Sequence, residues 1–302
     1  MNKQYDVTLI TAEAYDQPTT TDWYIDQVLQ EDGLVQSALE AEGLKAHRVA
    51  WSSDFDWSSS AFALFRTPWD YARNFEAFTN WLATTRTQTH FINPLATIYW
   101  NSDKHYLAEL EQKGVPIPTT HFVRKGTKIT LAELHQQLGW SHTVLKPTIS
   151  AGGRHTYQLY PKDWASHEAV FQELIQEEDM MLQPFMNRIM DKGEIALMLV
   201  GDEVTHAVLK TAKKGDFRVQ DDFGGSVKPY QPTADAIALA QQTVAACPMQ
   251  PLYARVDLVW DNQNQLVVSE MEVFEPEMWF RFQPSAATIL AKKIATYIQD
   301  KS

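Results

Sequence analysis

Apolar positions along the first hundred residues recur in two rhythms. Short apolar runs at residues 7–10, 46–51, 62–66 and 90–92 read as strands. Between them, residues 25–43 and 69–84 carry apolar side chains three and four apart (Phe75, Phe78, Trp81, Leu82), which predicts helices. Strands alternating with helices predict an α/β unit with a Rossmann-like, open and mostly parallel sheet. Asn93-Pro94 punctuates the chain, a short helix is predicted over 102–113, and Gly114-Val115-Pro116-Ile117-Pro118 punctuates it again.

From residue 119 the rhythm changes. Residues 120–123, 143–146, 156–160 and 180–184 read as strands, with helices over 131–138 and 167–177. Runs at 194–200 and 203–211 flank Gly201-Asp202, a hairpin turn. A helix over 233–246 precedes a second hairpin, 253–260 and 265–273, joined by Asp261-Asn262-Gln263-Asn264, and a helix over 285–299 closes the chain. The fold class is therefore α/β followed by α+β. Three units are expected, at 1–100, 101–190 and 191–302, with no internal repeat or low-complexity linker.

Composition narrows the function classes. With 302 residues, 44% of them hydrophobic, the chain is far too apolar to be disordered. A net charge of −12 argues against non-specific binding to nucleic acid or to an anionic membrane, while leaving room for a local phosphate pocket. A single cysteine, Cys247, excludes a disulfide framework and any cysteine-rich metal site. No apolar run approaches the roughly 20 residues of a membrane span. Residues 1–6 lead straight into a strand, leaving no room for a signal peptide. A soluble, cytoplasmic protein is the expectation, and a homodimer is left open.

Five clusters carry candidate chemistry. In the first, strand residues ending in Lys146 lead into Pro147-Thr148-Ile149-Ser150-Ala151-Gly152-Gly153-Arg154. Glycines there let backbone N–H groups approach an oxyanion, with a lysine alongside; a tight turn after an edge strand accounts for the same residues. In the second, Arg255 and Asp257 share one strand face, and Glu270 and Glu272 share another, together with Leu266 and Val268. Across a hairpin Asp257 joins the glutamates. Three gathered carboxylates repel unless they are solvated, protonated or neutralised by a cation, and such a set suits magnesium; a solvated strand end is the alternative. The third is Asn101-Ser102-Asp103-Lys104 at a helix start, where the lysine alone signals nothing. The fourth, from Lys210 to Gln220 with Gly224-Gly225 beyond, is a basic stretch in an acidic chain, suited to an anionic intermediate or merely solvated. In the fifth, Arg66, Trp69, Asp70 and Tyr71 follow a strand of the first sheet, where open α/β sheets bind ligands.

Taken in order, these clusters resemble the ATP-grasp superfamily, in its glutathione-synthetase-like and ribosomal-protein-modifying branch, and look closest to relatives of the cyclo-ligase of cycloserine biosynthesis. The resemblance covers nearly the whole length. It implies an N-terminal α/β domain followed by two α+β subdomains that grip ATP. Lys104 and Lys146 would be the nucleotide lysines, and Ser150, Gly152 and Gly153 would belong to a phosphate-covering loop. Gln183, Pro184, Phe185 and Met186 resemble the adenine hinge, and Glu194 a ribose contact. Arg218, Gly224 and Gly225 would face an acyl phosphate, with Lys210 in the same basic stretch. Asp257, Glu270 and Glu272 match the magnesium carboxylates. Arg66, Trp69, Asp70 and Tyr71 recur in the cyclo-ligase-like relatives, which implies a substrate role. Glu272 departs from the Asn often found at its position, and Gln220 from a common Asn.

The resemblance implies an ATP- and magnesium-dependent ligase that joins a small carboxylate to an amine, on one molecule or two, through an acyl phosphate. An ATP-grasp-type small-molecule kinase and a non-catalytic nucleotide-binding protein are the rival readings.

Overall fold

The computed structural model describes residues 3–219 and 224–301. Its first sheet is parallel, ordered β2-β1-β3-β4 from β1 (Tyr5–Thr11), β2 (Ala46–Ala50), β3 (Ser60–Thr67) and β4 (His90–Ile92). A short α1 (Glu13–Asp16) precedes α2 (Trp23–Ala41), whose start is capped by the Asp22 carboxylate accepting from the Tyr24 and Ile25 N–H groups. The single helix predicted over 69–84 is instead a 3-10 turn, Trp69–Ala72, followed by α3 (Phe75–Thr85). The helix predicted over 102–113 is shortened to α5 (Tyr106–Gln112); an unpredicted α4 (Leu95–Asn101) precedes it, and the turn between the two holds Lys104.

The second sheet is antiparallel, ordered β5-β8-β6-β7 from β5 (His121–Val123), β6 (Thr143–Pro147), β7 (Tyr157–Leu159) and β8 (Met180–Pro184). Between its strands come α6 (Leu131–Leu138), opened by a Thr130–Glu133 capping box and closed by left-handed Gly139, and α7 (Trp164–Glu177). A short α8 (Ile189–Lys192) ends at Gly193, where φ is +75° and an added Cβ would lie 2.3 Å from the Lys210 carbonyl. Only glycine fits that close approach of two backbones.

The third sheet is antiparallel, ordered β11-β10-β9-β12-β13, from β9 (Glu194–Val200), β10 (Glu203–Thr211), β11 (Ser226–Tyr230), β12 (Tyr253–Trp260) and β13 (Leu266–Glu272). The helices α9 (Ala234–Ala245) and α10 (Pro284–Lys301) complete the chain. Both predicted hairpins are present: Glu203 pairs with Val200 beyond Gly201-Asp202, and Asp261 accepts from the Gln263 and Gln265 N–H groups to close the second. The edge strand β11 was not predicted, because its Ser-Val-Lys-Pro-Tyr sequence has little apolar alternation and contains a proline.

The β12–β13 register places Asp257 opposite Glu270 and Arg255 opposite Glu272, with a bulge just beyond, between Asp257 and Leu258. That bulge corrects the expected face sharing. Val268 packs with Met271 in the hydrophobic core, whereas Glu270 and Glu272 point the other way, because the extra residue, Ser269, shifts the alternation by one. The outer edge of β13 is not left open: the Asn101 amide donates to the Met271 carbonyl (2.8 Å) and its oxygen accepts from Val273 N–H (3.0 Å), while the Tyr106 hydroxyl bonds both backbone groups of Met271.

One face of the third sheet is divided along its strands. At one end Met198, Val200, Val208 and Tyr253 pack in a core with Leu290 and Ile294 of α10. At the other end, the same alternation presents Glu194, Lys210, Arg255 and Asp257. The second sheet turns Val144, Lys146 and Gln183 toward this ionic end and keeps Leu145 and Leu182 in its own core.

Candidate active site

Between these two sheet faces lies a cavity of about 510 Å³, within the size range of small-ligand sites. Its apolar part is formed by Val144, Phe185, Met186, Phe217 and Val259. The Phe185 and Phe217 rings meet edge to face at 5.9 Å. Gln183 and Pro184 continue this wall, so all four hinge residues named from the sequence line it.

The ionic part is densely paired. The Lys104 ammonium lies 3.0 Å from Glu270 Oε1 and donates to the Ser150 carbonyl (2.7 Å), tying the small-residue loop to β13. Lys104 is almost wholly buried, and its own N–H donates to the Thr148 carbonyl. Burial pushes the Glu270 carboxyl up, but the Lys104 and Lys146 ammonium groups outweigh it and hold it down at about 2. The Lys146 side chain forms no hydrogen bond or ion pair among the described residues, while its backbone is paired with Met181 of β8. Burial lowers its pKa and Glu270 opposes the shift. Its ammonium thus has Glu270 nearby but no direct partner, which leaves it open to phosphate oxygens. Gly152 and Gly153, both at positive φ, line the cavity beside Ser150 and Lys146.

Asp257 and Glu194 converge on Lys210. Its ammonium sits 2.9 Å from Asp257 Oδ2 and is paired with Glu194, whose other oxygen accepts from the Ser269 hydroxyl. Burial alone would lower the Lys210 pKa, but Asp257 and Glu194 hold it above the usual lysine value. Arg255 lies over the Trp279 ring and bridges Asp257 and Glu272. The repulsion expected among the acids is thus offset by Lys104, Lys210 and Arg255.

Ligand atoms of Asp257, Glu270 and Glu272 all lie within 4.8 Å of one another. Burial and the neighbouring Glu275, Glu270 and Asp257 carboxyls push the Glu272 pKa well up against Arg255. A hard divalent cation prefers oxygen donors and would relieve that crowding, so the three carboxylates fit magnesium.

The remaining sequence candidates divide. Arg218 lines the cavity while clamped to Asp216 (2.7 Å), which it draws down to about 2. Trp69 and Asp70 also line it; the Asp70 carboxylate accepts from the Trp51 indole (2.7 Å), and the Trp69 indole donates to the Glu275 carbonyl (2.8 Å). Tyr71 is 1% exposed and reaches the site only through its hydroxyl, which donates to Glu275 Oε1 (3.0 Å). The substrate role expected for Arg66 is corrected. That residue is fully buried outside the cavity wall, paired with Glu31 (3.1 Å) and Asp32 (3.2 Å) of α2. Gly224 and Gly225 are not part of the cavity lining, and Gln220 lies outside the described residues. Sequence reasoning passed over Glu275, which is buried and raised to about 7 by desolvation against Lys104 and Tyr71.

A family model described as a RimK-like ATP-grasp domain matches residues 102–298. The chain belongs to the RimK-like ATP-grasp family. Membership makes it an ATP-dependent ligase of the carbon–nitrogen class. A second model, the N-terminal domain of the D-cycloserine synthetase DcsG, matches residues 7–93. The cycloserine biosynthesis protein DcsG of Streptomyces lavendulae is 26% identical over 275 residues, spanning 85% of this chain and 90% of the relative. The crystal structure of D-cycloserine synthetase DcsG superposes with a TM-score of 0.85 at 24% identity, covering 97% and 99% of the two chains. A D-alanine–D-alanine ligase from Bacillus anthracis complexed with ATP shares the ATP-grasp fold at a TM-score of 0.65 and 13% identity, covering 99% of this chain and 100% of that one. Among the described residues, no helix is long and apolar enough to cross a membrane.

The Glu270 pairing carries a pH dependence. Its carboxyl titrates at about 2 in the fold, against 4.5 ordinarily, so the unfolded chain binds the proton more readily. Stability from this group is complete above the unfolded value and drains away as pH falls from 4.5 toward about 2. Urea midpoints measured down that window should fall in the wild type and fall less in Glu270→Gln, which has no carboxyl to titrate there.

Proposed function

We propose that this ATP-grasp enzyme joins a carboxylate to an amine on a small amino-acid-like substrate, through an acyl phosphate. The observation that carries the reading is the convergence of Asp257, Glu270 and Glu272 within chelating distance, in a cavity that also presents Lys104 and Lys146. A free carboxylate is a poor electrophile, because amine attack would have to expel oxide. Phosphorylation replaces that leaving group with phosphate.

Each residue then has a task. The apolar wall at Val144, Phe185 and Met186 takes the adenine, and Gln183 and Glu194 supply polar contacts near it. Lys146, with its ammonium uncommitted, meets phosphate oxygens, and the Gly152-Gly153 loop closes over them and excludes water from the activated carboxyl. Asp257, Glu270 and Glu272 would hold magnesium, which when bound neutralises charge on the transferring phosphoryl group. Arg218, at the cavity wall, steadies the anionic acyl phosphate and the tetrahedral species that follows. Lys210 holds Asp257 and Glu194 in place through its paired ammonium. Nothing in this scheme needs a nucleophilic side chain, in keeping with Cys247, whose thiol burial pushes up to about 12.

Whole-length similarity to D-cycloserine synthetase supports a version in which both reacting groups belong to one molecule and the product is a ring. The test is an ADP-release screen with magnesium, in which the protein meets pooled D- and L-amino acids, their O-substituted derivatives and simple amines. One pool is expected to raise ADP formation above the substrate-free rate, with free phosphate appearing in equal amount. A stable phosphorylated product in place of free phosphate would make the enzyme a kinase. ADP formation that no pool raises would refute the ligase reading.

A further inference from the structure

The wall of the cavity between the magnesium carboxylates and the N-terminal domain contains a carboxyl group that the scheme above does not use. Glu275 follows β13 by three residues, is 7% exposed and falls outside the chelating trio. One of its oxygens accepts from the Tyr71 hydroxyl; the other, Oε2, has no hydrogen-bond partner among the described residues. Its backbone is fixed as well, through the Trp69 indole on its carbonyl. Two residues of the N-terminal Trp-Asp-Tyr stretch therefore hold Glu275 against the cavity, one by its backbone and one by its carboxyl, leaving half of that carboxyl unfilled. A buried acceptor without a donor is costly, and retained orphans of this kind mark sites where a partner is meant to arrive. Positively charged or N–H-bearing groups are what a carboxylate accepts best.

We propose that Glu275 Oε2 receives the amino group of the substrate, with Tyr71 as the positioning residue that fixes the carboxyl's orientation. Lys104 pairs with Glu270 and also acts on the Glu275 carboxyl, so the amine subsite adjoins the metal carboxylates and the lysine at their edge. The substrate class follows: a compound with a primary amino group, bound from the N-terminal-domain side beside the Trp69 ring. This rests on the ligase reading given above and extends it to the acceptor subsite.

The test uses the full chain loaded with magnesium and a non-hydrolysable ATP analogue. D- and L-alaninamide serve as probes that carry the amino group without a carboxylate, with acetamide as the amine-free control. Tryptophan fluorescence and calorimetry report binding. The wild type is expected to bind an alaninamide and not acetamide, and Glu275→Gln to weaken that binding about tenfold or more, the worth of a hydrogen bond to a charged group. Tyr71→Phe should weaken it by a smaller factor, since the carboxyl remains but loses its tether. Affinity for the ATP analogue should stay within about twofold in both variants, a split that general damage to the fold would not produce. Failure of the wild type to bind either alaninamide, or equal binding by wild type and Glu275→Gln, overturns the proposal. If the ADP-release screen meanwhile finds a substrate, the ligase reading stands without the Glu275 assignment. If alaninamide binds through Glu275 but no substrate pool raises ADP formation, the amine site stands and the ligase reading falls.

Discussion

Replacing Glu270 by glutamine is expected to lower magnesium-dependent ADP formation by about 10²–10³-fold, the scale lost when a preorganised charge at the reacting centre is removed. Glu270 is the hinge of the ionic cluster: it belongs to the chelating trio, and it is also the carboxylate that meets Lys104. Glutamine keeps the shape and can still accept from the lysine, but it contributes no charge to a divalent ion. The folded protein should therefore survive the change while losing the metal. Thermal stabilisation by ADP distinguishes the two effects. In the wild type, adding magnesium should enlarge the shift produced by ADP; in Glu270→Gln it should add little. Wild-type turnover in the variant would remove Glu270 from the metal site. The variant also leaves the buried Lys104 and the half-buried Lys146 without their shared counter-charge, so a modest fall in the stability of the nucleotide-free protein belongs to the same prediction.

Arg66→Met is expected to do the reverse, damaging the fold far more than the chemistry. Arg66 is completely buried, with its guanidinium between Glu31 and Asp32 and over the Phe280 ring at 5.4 Å. Glu31 also accepts from the Met278 and Phe280 N–H groups, so the network joins β3, α2 and the segment that follows the metal strand. Removing one member of such a buried group strands the others and typically costs about 3–5 kcal/mol. Urea denaturation should show a loss of that order, whereas turnover per folded molecule should fall much less than in Glu270→Gln. Full stability combined with abolished turnover would return Arg66 to a substrate role.

The contrast between these two residues marks what the sequence could disclose. Glu270 was legible because strand alternation and a polar four-residue turn fix a hairpin, and a hairpin carries Asp257 to the glutamates. Arg66 was not, since its partners sit 34 and 35 residues earlier on α2. Their signal was the pair Glu31-Asp32 set among the buried Val28, Val35 and Leu39, an acidic interruption of an apolar helix face that calls for buried donors or a cation. Lys104 looked like any helix-start lysine, and its importance came from resemblance alone; the structure shows a turn between α4 and α5 delivering it to Glu270. Glu275 lies past the end of β13, where period-two reasoning stops, and the hydroxyl that holds it comes from the opposite end of the chain. Long-range pairings of this kind have no local periodicity and stay hidden until the fold is known.

The bulge at Ser269 has a consequence for how this strand can vary. Between Leu266 and Glu270 the strand is tolerant in kind and, at one place, in number. Many side chains could stand at Val267 or Val268 provided they are apolar, and loss of Ser269 itself would make the ladder regular while leaving Val268 toward the core and both glutamates toward the cavity, at the cost of the hydroxyl from which Glu194 accepts. Ser269 is therefore the position at which this strand has a residue to spare, and a bulge-free descendant would keep its acids where they are.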